Sequence, residues 1–377
     1  MHPTHRFIFT WLFLAAFAAA ASGCNTGEVG IPFQDGIECL GEEAQPVAGD
    51  TIYVAPDGND DNAGNRPDAP FATLGRALCH VRPGQTVEIA PGTYRESVIM
   101  GLFGDSSAPI VIHGTADAHS RPVLDGESHR TMGIALVESN HIVIEGLEFR
   151  NYTDEGLFVL TGSDITIRNN RFVGNGRAST DPEHEGEGFG VNVVGARDVI
   201  IEGNEAAENG PAADRVQKGF LGTGINTFEL QDGIIRDNHS HHNIGGGLLV
   251  EDGTNVLVEN NRIDHNELDA GGDYWDGGIW LDGGRDITLR GNVIADNHGP
   301  GVEISDEDLQ YPEGSRGYLL TGNTITGNLY GIYLWNFGVC PLPEPEIVTL
   351  TDNEVTGNTE MDVWCELWPC GEHEACE

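Results

Sequence analysis

Pairs of asparagines five residues apart recur along much of the chain and restrict the possible folds more than any other feature. The first members are Asn170, Asn204, Asn238, Asn261, Asn292, Asn323 and Asn353. The second members are Asn175, Asn209, Asn243, Asn266, Asn297, Asn328 and Asn358. Seven such matches are not expected by chance, so each pair marks one unit of an internal repeat.

Short alternating segments flank each pair. Before the first asparagine stand segments such as "ITIRNN", "VLVENN" and "ITLRGN", and after most second asparagines a glycine opens segments such as "GLLVE", "GIWLD" and "GVEIS". A period of two indicates β-strands rather than helices. The 52 glycines of the chain agree with this prediction, because so many turn residues are not typical of a helical bundle.

A unit of about 22 residues is too short to build a core of its own, but successive units can stack as turns of one coil. Ile, Leu and Val at alternate strand positions would then point inward in columns. The asparagines would stack as amide ladders, with each amide bonded to the next turn. We also expect the asparagines themselves to take left-handed backbone angles at the bends, because Asn tolerates them.

This pattern resembles the right-handed parallel β-helix of pectate-lyase-like proteins, which implies an all-β solenoid and gives the hand of the coil. Residues 51–98 resemble the opening segment of secreted β-helix proteins. Within them "FATLGRAL", residues 71–78, places Phe71, Leu74 and Leu78 on one helical face. A capping helix there would cover the open end of the coil. The resemblance covers roughly residues 50–360 and leaves the activity open, since the fold carries lyases, hydrolases, epimerases and adhesins.

The N-terminus is interpreted as a lipoprotein signal peptide, residues 1–23. Its apolar run is too short to span a bilayer and fits a secretory signal. "AASGC" resembles a bacterial lipobox with Cys24 as the lipidated residue, although Ala21 stands where Leu is usual. The alternative is an ordinary signal followed by a coincidental cysteine. We expect export, a lipid anchor in the outer membrane or at the cell surface, a flexible tether over 24–49 and a β-helix domain over 50–377.

Export makes disulfides plausible. Besides Cys24, the chain has Cys39, Cys79, Cys340, Cys365, Cys370 and Cys376. Because two lie near the start and four near the end, we expect staples at the two ends of the fold, with a disulfide-rich C-terminal end. Sequence alone does not determine which cysteines pair.

The formal net charge of −41 disfavours nucleic acid as a partner, because such a surface repels phosphates. It also repels a polyanionic sugar unless cations intervene. We expect a monomer that binds a polysaccharide and meets the membrane only through its lipid anchor.

Insertions predict the position of a groove. The segment between second asparagine and strand glycine is long at Asn175–Gly190, Asn209–Gly224 and Asn266–Gly278. The Gly-Ile-x-Leu strands should therefore form a floor between walls, with the x positions facing outward. Candidate substrate-binding residues at those positions are Trp280, Tyr333, Trp335, Asn192, Asn226 and Phe228. Aromatic faces beside polar groups suit a sugar ring, and scattered surface aromatics are the alternative.

Carboxylates gather on the same predicted floor. Glu251 and Asp282 occupy equivalent positions on successive turns, and Glu303 follows one turn later. Such groups can form an acid/base pair, hold calcium or simply be solvated. The candidate calcium ligands are Glu251, Asp282, Glu303, Asp276 and Asp306.

Lys218, the only lysine, and Arg215 lie in one of the insertions. Lyases of the resembled fold commonly use Lys or Arg as the base beside a uronate whose charge a cation offsets. The favoured function is therefore a cation-assisted polysaccharide lyase with Lys218 or Arg215 as base and Glu251, Asp282 and Glu303 near the cation. The alternatives are a glycoside hydrolase that uses Glu251 and Asp282, and a non-catalytic binding or adhesive coil.

Histidines concentrate at one corner of the predicted coil. His239, His241 and His242 lie in "NHSHHN", and His265 holds the position equivalent to His242 on the next turn. They could form a transition-metal site or stand as exposed turn histidines.

Overall fold

The computed structural model describes residues 36–37, 46–115, 120–177, 188–211, 222–268, 277–306, 315–335, 347–367 and 372–374. Of these, residues 36–37, 335, 366–367 and 372–374 are described by their backbone alone. The predicted signal peptide, Cys24 and most of the predicted tether lie outside this part of the chain. No helix within it is long and apolar enough to cross a membrane.

One helix and thirty strands make up the described part of the chain. The helix, α1, is Leu74–His80. The first fifteen strands are β1 Gly36–Ile37, β2 Thr51–Val54, β3 Thr86–Ile89, β4 Gly92–Tyr94, β5 Ser97–Met100, β6 Ile110–Gly114, β7 Pro122–Asp125, β8 Met132–Glu145, β9 Glu148–Arg150, β10 Glu155–Arg168, β11 Arg171–Val173, β12 Val191–Glu202, β13 Glu205–Ala207, β14 Ile225–Phe228 and β15 Ile234–Arg236.

The other fifteen strands follow in chain order. They are β16 His239–His241, β17 Leu248–Glu251, β18 Thr254–Glu259, β19 Arg262–Asp264, β20 Ile279–Asp282, β21 Arg285–Arg290, β22 Val293–Ala295, β23 Val302–Ser305, β24 Tyr318–Thr321, β25 Thr324–Thr326, β26 Tyr330–Trp335, β27 Val348–Thr351, β28 Glu354–Thr356, β29 Met361–Leu367 and β30 Glu372–Glu374.

The strands stack as turns of a parallel β-helix, as the repeat predicts. A ten-stranded sheet runs from β4 to β28 and consists of the short strands, most of them between the two asparagines of a pair. The other strands form a twenty-stranded sheet in which each turn contributes two segments, joined in β8, β10 and β12 and separate from β14 onward. Pairing between the named strands is parallel except for β29 with β30 at the C-terminal end.

The interior consists of stacked aliphatic columns. Ile279 and Leu281 of β20 are fully buried, as are their in-register neighbours Leu248, Val250, Val302 and Ile304. Alternate strand positions therefore point inward as predicted, and each turn covers the apolar face of the one before it. This continuous burial supplies the main stabilisation of a coil whose single turns have no core.

Two amide ladders line the corners of the coil, and this prediction is confirmed. The Asn292 backbone N–H donates to Asn323 Oδ1 at 2.9 Å, and its Nδ2 donates to Val258 O and to Asn323 Oδ1, each at 3.0 Å. Asn292 Oδ1 in turn accepts from the backbone N–H of Asn261. The second ladder repeats this geometry, with Asn297 donating to Asn328. Each asparagine thus satisfies buried backbone groups of neighbouring turns.

The predicted left-handed angles fall one residue earlier than expected. Asn169, Asp237, Asn260 and Gly291, each directly before a ladder asparagine, have φ values of 55°, 55°, 55° and 64°. Within the described residues, no ladder asparagine has a positive φ. The preceding residue makes the bend because the ladder side chain must turn inward, and Asn, Asp and Gly accept that conformation at the lowest cost.

The helix closes the N-terminal end of the coil, but it begins later than the sequence predicts. Phe71 lies before it and forms a bridge with Val54 of β2, while Leu74, Ala77 and Leu78 are buried against the first turn. The Thr73 side chain caps the helix by accepting from the backbone N–H of Arg76 at 3.2 Å.

Glu96 completes the helix start. Its carboxylate accepts from the backbone N–H groups of Leu74 and Gly75 at 2.8 and 2.9 Å, so two otherwise unpaired donors are satisfied. Burial raises the pKa of Glu96 against the opposing effect of these two bonds. At the same end of the coil, Cys79 in α1 is disulfide-bonded, and Cys365 in β29 is disulfide-bonded near the other end.

Candidate functional site

The outward side chains of one face form two columns in register, as predicted. We call these two columns the floor. The first column is Phe158, Asn192, Asn226, Leu249, Trp280, Glu303 and Tyr333. The second is Leu160, Val194, Phe228, Glu251, Asp282 and Ser305. Trp335, another predicted binding residue, is described by its backbone alone, which pairs with Glu366.

Most of the floor is buried, although its side chains occupy the outward strand positions that the sequence predicts. Trp280 is 2 % exposed, Asp282 6 % and Glu303 0 %. Glu251 and Tyr333 are the floor residues that remain partly exposed within the described columns. An outward position on a strand does not ensure contact with solvent, because another part of the molecule can cover it.

A hydrogen-bonded chain connects three floor residues on two turns. The Trp280 indole N–H donates to Ser305 Oγ at 2.8 Å, and the Ser305 hydroxyl donates to Asp282 Oδ1 at 2.8 Å. This chain holds the Asp282 carboxylate in one orientation. Ser305 was not among the predicted site residues. The sequence feature that could have identified it is its position, which is in register with Asp282 and therefore places a hydroxyl beside a carboxylate.

The predicted carboxylates come together as the spacing indicates. In the strand register, Glu251 lies next to Asp282 of the following turn, and Trp280 lies next to Glu303 of the turn after that. Stacked strands lie about 4.8 Å apart, so these residues lie close to one another on successive turns.

The carboxylate cluster does not form a complete metal site by itself. Within the described part of the chain, no three His, Cys, Asp or Glu side chains are placed to hold one ion. Asp306, a predicted ligand, accepts instead from the backbone N–H of Ser315 at 3.2 Å. Asp276, Arg215 and Lys218 lie outside the described residues, so the calcium site and the predicted base stay predictions.

Two amides continue the floor toward the N-terminal turns. Asn226 Nδ2 donates to Asn192 Oδ1 at 2.9 Å, and Asn192 Nδ2 donates to Glu155 Oε1 at 3.2 Å. Asn226 is 7 % exposed, and its Oδ1 has no hydrogen-bond partner among the described residues. The row therefore ends in a buried carbonyl oxygen that can still accept a hydrogen bond.

An aromatic platform borders the floor at its C-terminal turns. The ring centroids of Tyr333 and Tyr330 lie 5.7 Å apart with planes 23° apart, and Trp364 lies 6.1 Å from Tyr330. All three side chains are partly exposed, and Tyr333 pairs directly with Glu303. Sequence reasoning found Tyr333 but missed Tyr330, which precedes the strand glycine, and Trp364, whose strand lacks the glycine signal.

The larger sheet also carries charged side chains away from the floor. A column of alternating charge runs in register along the larger sheet: His113, Glu145, Arg168, Glu202, Arg236, Glu259 and Arg290. Arg236, for example, contacts Glu202 at 2.6 Å. Hydrogen bonding to Glu202 raises the pKa of Arg236. We call this column the charge ladder; the sequence analysis missed it, although Arg and Glu alternate two residues before successive ladder asparagines.

The histidines form a cluster on the short-strand sheet around Asp264. His239 Nε2 and His265 Nδ1 each lie 2.7 Å from an oxygen of the buried Asp264 carboxylate, and Nδ1 of His241 lies 2.9 Å from Nδ1 of His242. Burial and the neighbouring imidazoles lower the pKa of His241. Burial acts to raise the pKa of Asp264, but hydrogen bonds from His265, His239 and Arg262 outweigh it and lower the pKa.

Comparison with known proteins agrees with this architecture. Residues 52–202 match the family model described as Pel9A-like, right handed beta helix region, and residues 215–359 match the model described as right handed beta helix region. The uncharacterized protein YwoF of Bacillus subtilis (strain 168) is 29 % identical over 309 residues, which is 75 % of this chain. The chain spans 63 % of the length of that curated relative.

Two solved structures show the same fold at low sequence identity. Pectate lyase Pel9A superposes with a TM-score of 0.60 at 18 % identity, covering 82 % of this chain and 79 % of its own. The alginate lyase from Paenibacillus sp. str. FPU-7 superposes with a TM-score of 0.56 at 16 % identity, covering 83 % and 98 %. The stacked parallel sheets and both family models lead to one conclusion: this chain is a right-handed parallel β-helix repeat protein.

Proposed function

We propose that this β-helix binds a polysaccharide along the floor and cleaves it there. The observation that carries the proposal is the partly exposed platform of Tyr333, Tyr330 and Trp364, together with the partly exposed carboxylate of Glu251 on the same floor. Aromatic faces pack on the C–H faces of sugar rings, and carboxylates accept from sugar hydroxyls. The fold likeness to the two lyases agrees with a carbohydrate ligand but does not identify it.

Binding would begin at the platform. Glu251 and Tyr333 are the partly exposed floor residues of the described columns, so a chain of sugars meets them first. Behind them, the Asp282 carboxylate has a fixed orientation, because it accepts from the Ser305 hydroxyl, which itself accepts from the Trp280 indole N–H. Such fixed polar groups orient a ligand without having to reorganise when it binds.

Hydrolysis is the cleavage chemistry that the described residues support best. Glu251 and Asp282 are in-register neighbours on adjacent turns. In a carboxylate pair, one acid protonates the leaving oxygen while the other carboxylate attacks the sugar or activates a water. Asp282, oriented by Ser305, suits the second role. Glu251, which reaches the surface, can exchange protons with solvent and suits the first.

Elimination is the second candidate, and the fold likeness to two lyases favours it. In that chemistry Lys218 or Arg215 would remove the proton beside a uronate carboxylate. Calcium bound near Glu251, Asp282, Glu303, Asp276 and Asp306 would offset the charge of that carboxylate. The proposal further includes export as a monomer, with a lipid anchor at Cys24. Labelled-lipid incorporation that persists in Cys24→Ser would contradict the anchor.

The two chemistries have different products. Purified full-length protein would be incubated with a panel of charged and neutral polysaccharides, with calcium or with a chelator. Hydrolysis gives new reducing ends without ultraviolet absorbance, whereas elimination gives reducing ends together with the absorbance of unsaturated uronates. Asp282→Asn should abolish hydrolysis, and exposed Glu354→Gln, which removes the same charge from the far sheet, should not. The absence of both binding and products across the panel would overturn the proposal.

A further inference from the structure

Two adjacent histidines on the short-strand sheet bring like ring nitrogens together. Nδ1 of His241 lies 2.9 Å from Nδ1 of His242. Two uncharged imidazoles share such a distance only when one nitrogen carries a proton and the other accepts it with its lone pair. Nε2 of His241 lies 3.6 Å from the Glu205 carboxylate, which favours a proton on that nitrogen. The Nδ1 lone pair of His241 is then directed at His242.

Neighbouring side chains hold both rings in position. The centroid of the His239 ring lies 4.1 Å from that of His241. The His265 ring lies parallel to that of His242, with centroids 5.0 Å apart. His239 and His265 are themselves fixed, because each bonds at 2.7 Å to one oxygen of the buried Asp264 carboxylate. The pair of Nδ1 atoms is therefore presented by rings that need little reorganisation when they bind a ligand.

The pair can be reached from solvent, and His241 is kept in the neutral form. His242 is exposed and His241 is partly exposed. Burial, followed by the effect of the imidazoles of His239 and His242, lowers the pKa of His241. A neutral imidazole is the form that coordinates a metal ion.

The carboxylates around the pair supply negative charge but are bonded to other groups. Asp264 contacts Arg262 at 3.0 Å in addition to its two imidazoles, and Glu205 contacts Arg171 at 3.1 Å. Within the part of the chain that the structure describes, no three His, Cys, Asp or Glu side chains converge on one ion. A metal site here would therefore have two protein ligands, with water at the other positions.

The backbone at this corner does not by itself explain a histidine. His242 and His265 have φ values of 56° and 57°. On three other turns the residue before the second ladder asparagine is a glycine with positive φ, namely Gly174, Gly327 and Gly357. Glycine takes this conformation at the lowest cost. A side chain that is kept on such backbone is expected to have a further role.

We propose that His241 and His242 bind a divalent transition-metal ion through their Nδ1 atoms, with Cu²⁺ preferred. The ion would take the place of the proton between the two nitrogens, and His242 would carry its ring proton on Nε2. At a metal–nitrogen distance of about 2.0 Å, nitrogens 2.9 Å apart subtend an angle of about 90° at the ion. Neighbouring ligands of square-planar Cu²⁺ or Ni²⁺ make this angle, whereas tetrahedral Zn²⁺ would need nitrogens about 3.3 Å apart.

The general order of affinity among divalent ions also favours Cu²⁺ over Ni²⁺ and Zn²⁺. Ca²⁺ prefers oxygen ligands and should not bind this pair. The proposed metal site lies on the ten-stranded sheet, whereas the floor belongs to the other sheet, so it does not depend on the proposed function.

Titration calorimetry of the full-length protein with Cu²⁺, Zn²⁺ and Ca²⁺ tests the proposal. The double variant His241→Gln/His242→Asn removes both ligands, and asparagine tolerates the left-handed backbone. The control His129→Gln/His141→Asn removes one exposed histidine and one partly exposed histidine whose φ is 55°. The wild type and the control should bind the same number of Cu²⁺ ions. The double variant should bind one ion fewer, or bind that ion at least about tenfold more weakly.

Electron paramagnetic resonance identifies the ligands directly. The Cu²⁺ signal that the double variant lacks should show coupling to two imidazole nitrogens. Circular dichroism melts check that each variant is folded, and the single variant His241→Gln repeats the titration if the double variant unfolds.

Three results would overturn the proposed metal site. The first is equal stoichiometry and affinity for Cu²⁺ in the wild type and the folded variant. The second is an equal loss of Cu²⁺ binding in the double variant and the control, because the histidines would then bind as isolated surface groups. The third is a loss of Zn²⁺ binding without a loss of Cu²⁺ binding.

Discussion

The asparagine corners and the floor are built on the same turns, yet they follow opposite rules. At the corners, one residue type repeats turn after turn, and Asn292 bonds to Asn323 as Asn261 bonds to Asn292. On the floor, the residue changes at every turn, from Asn226 through Leu249 to Trp280. Identical neighbours can satisfy one another without a ligand, whereas unlike neighbours create a surface that varies along the coil.

The difference separates stability from recognition. A corner is a place where substitution should unfold the coil, because buried backbone groups depend on the side chain. A partly exposed floor residue is a place where substitution should change binding and leave the coil folded. Five experiments, ordered from the largest expected effect to the smallest, test whether this division holds.

Leu281→Asp should have the largest effect, because Leu281 is fully buried directly beneath the floor. An unpaired carboxylate in that column should cost at least about 4 kcal/mol of unfolding free energy, measured by chemical denaturation. Leu281→Met is the control and should cost less than about 1.5 kcal/mol. Equal stability of the two variants would disprove the inward register.

Asn292→Ala should cost about 1–3 kcal/mol, because it leaves the backbone N–H of Asn261 without its acceptor and the carbonyl of Val258 without its donor. Asn353→Ala removes the same side chain from the last turn of the same ladder, where water reaches the site. It should cost clearly less in the same denaturation experiment. If Asn353→Ala lowered the free energy of unfolding more than Asn292→Ala, burial would not explain how the ladder stabilises the coil.

Tyr333→Ala should lower sugar affinity by about tenfold or more and leave the melting temperature nearly unchanged, because the ring is partly exposed. Tyr333→Phe keeps the ring and should keep most of the affinity. Titration calorimetry with a polysaccharide of the panel that the protein binds measures both. A large loss of stability in Tyr333→Ala would mean that the platform, like the asparagine corners, stabilises the coil and is not mainly a binding surface.

Glu202→Arg tests the charge ladder. The substitution would place a third guanidinium between those of Arg168 and Arg236, which lie on the turns before and after it. The melting temperature should therefore fall at low salt and recover as salt screens the repulsion.

The double variant Glu202→Arg/Arg236→Glu is the control for the charge ladder. It exchanges the two charges within their pair and should regain part of the loss. A fall in melting temperature that is independent of salt would indicate a packing defect instead.

His241→Gln should have the smallest effect, and only in acid. The pKa of His241 is lowered in the folded protein, so the unfolded chain binds the proton more readily. The contribution of His241 to stability is therefore present above a pH of about 6.5 and is lost as pH falls through the folded pKa. The variant should lose stability less steeply over that interval in melts at stepped pH. A steeper loss would contradict the sign.

How far the sequence predicts this molecule depends on whether a feature repeats. The coil and the Asn292 ladder follow from spacing alone, because every turn imposes the same geometry. The left-handed bend was assigned one residue late, since the pattern marks the ladder asparagine and not the residue before it. The charge ladder was visible in the alternation of Arg168, Glu202 and Arg236, but it is noticed only when the turns are placed in register.

The candidate site was less predictable, for a physical reason. The strand register places Trp280 and Asp282 on the outer face of the coil. Whether they are buried depends on what covers that face, and the alternation of side chains in the sequence does not show this. The platform partner Trp364 belongs to the final described turns, where the repeat signal fades. Hydrogen-bond direction, such as Ser305 donating to Asp282, also requires coordinates.

The charge ladder limits how such a coil can change length. Opposite charges alternate from turn to turn, so the alternation survives only if an even number of turns is added or removed. Deleting the single turn that carries Glu202 would bring Arg168 against Arg236, while deleting the turns of Glu202 and Arg236 together would bring Arg168 against Glu259 and keep the alternation. Turns should therefore be gained or lost in twos along this stretch. Along this stretch the pair of turns, rather than the single turn, is the unit whose gain or loss preserves the charge alternation.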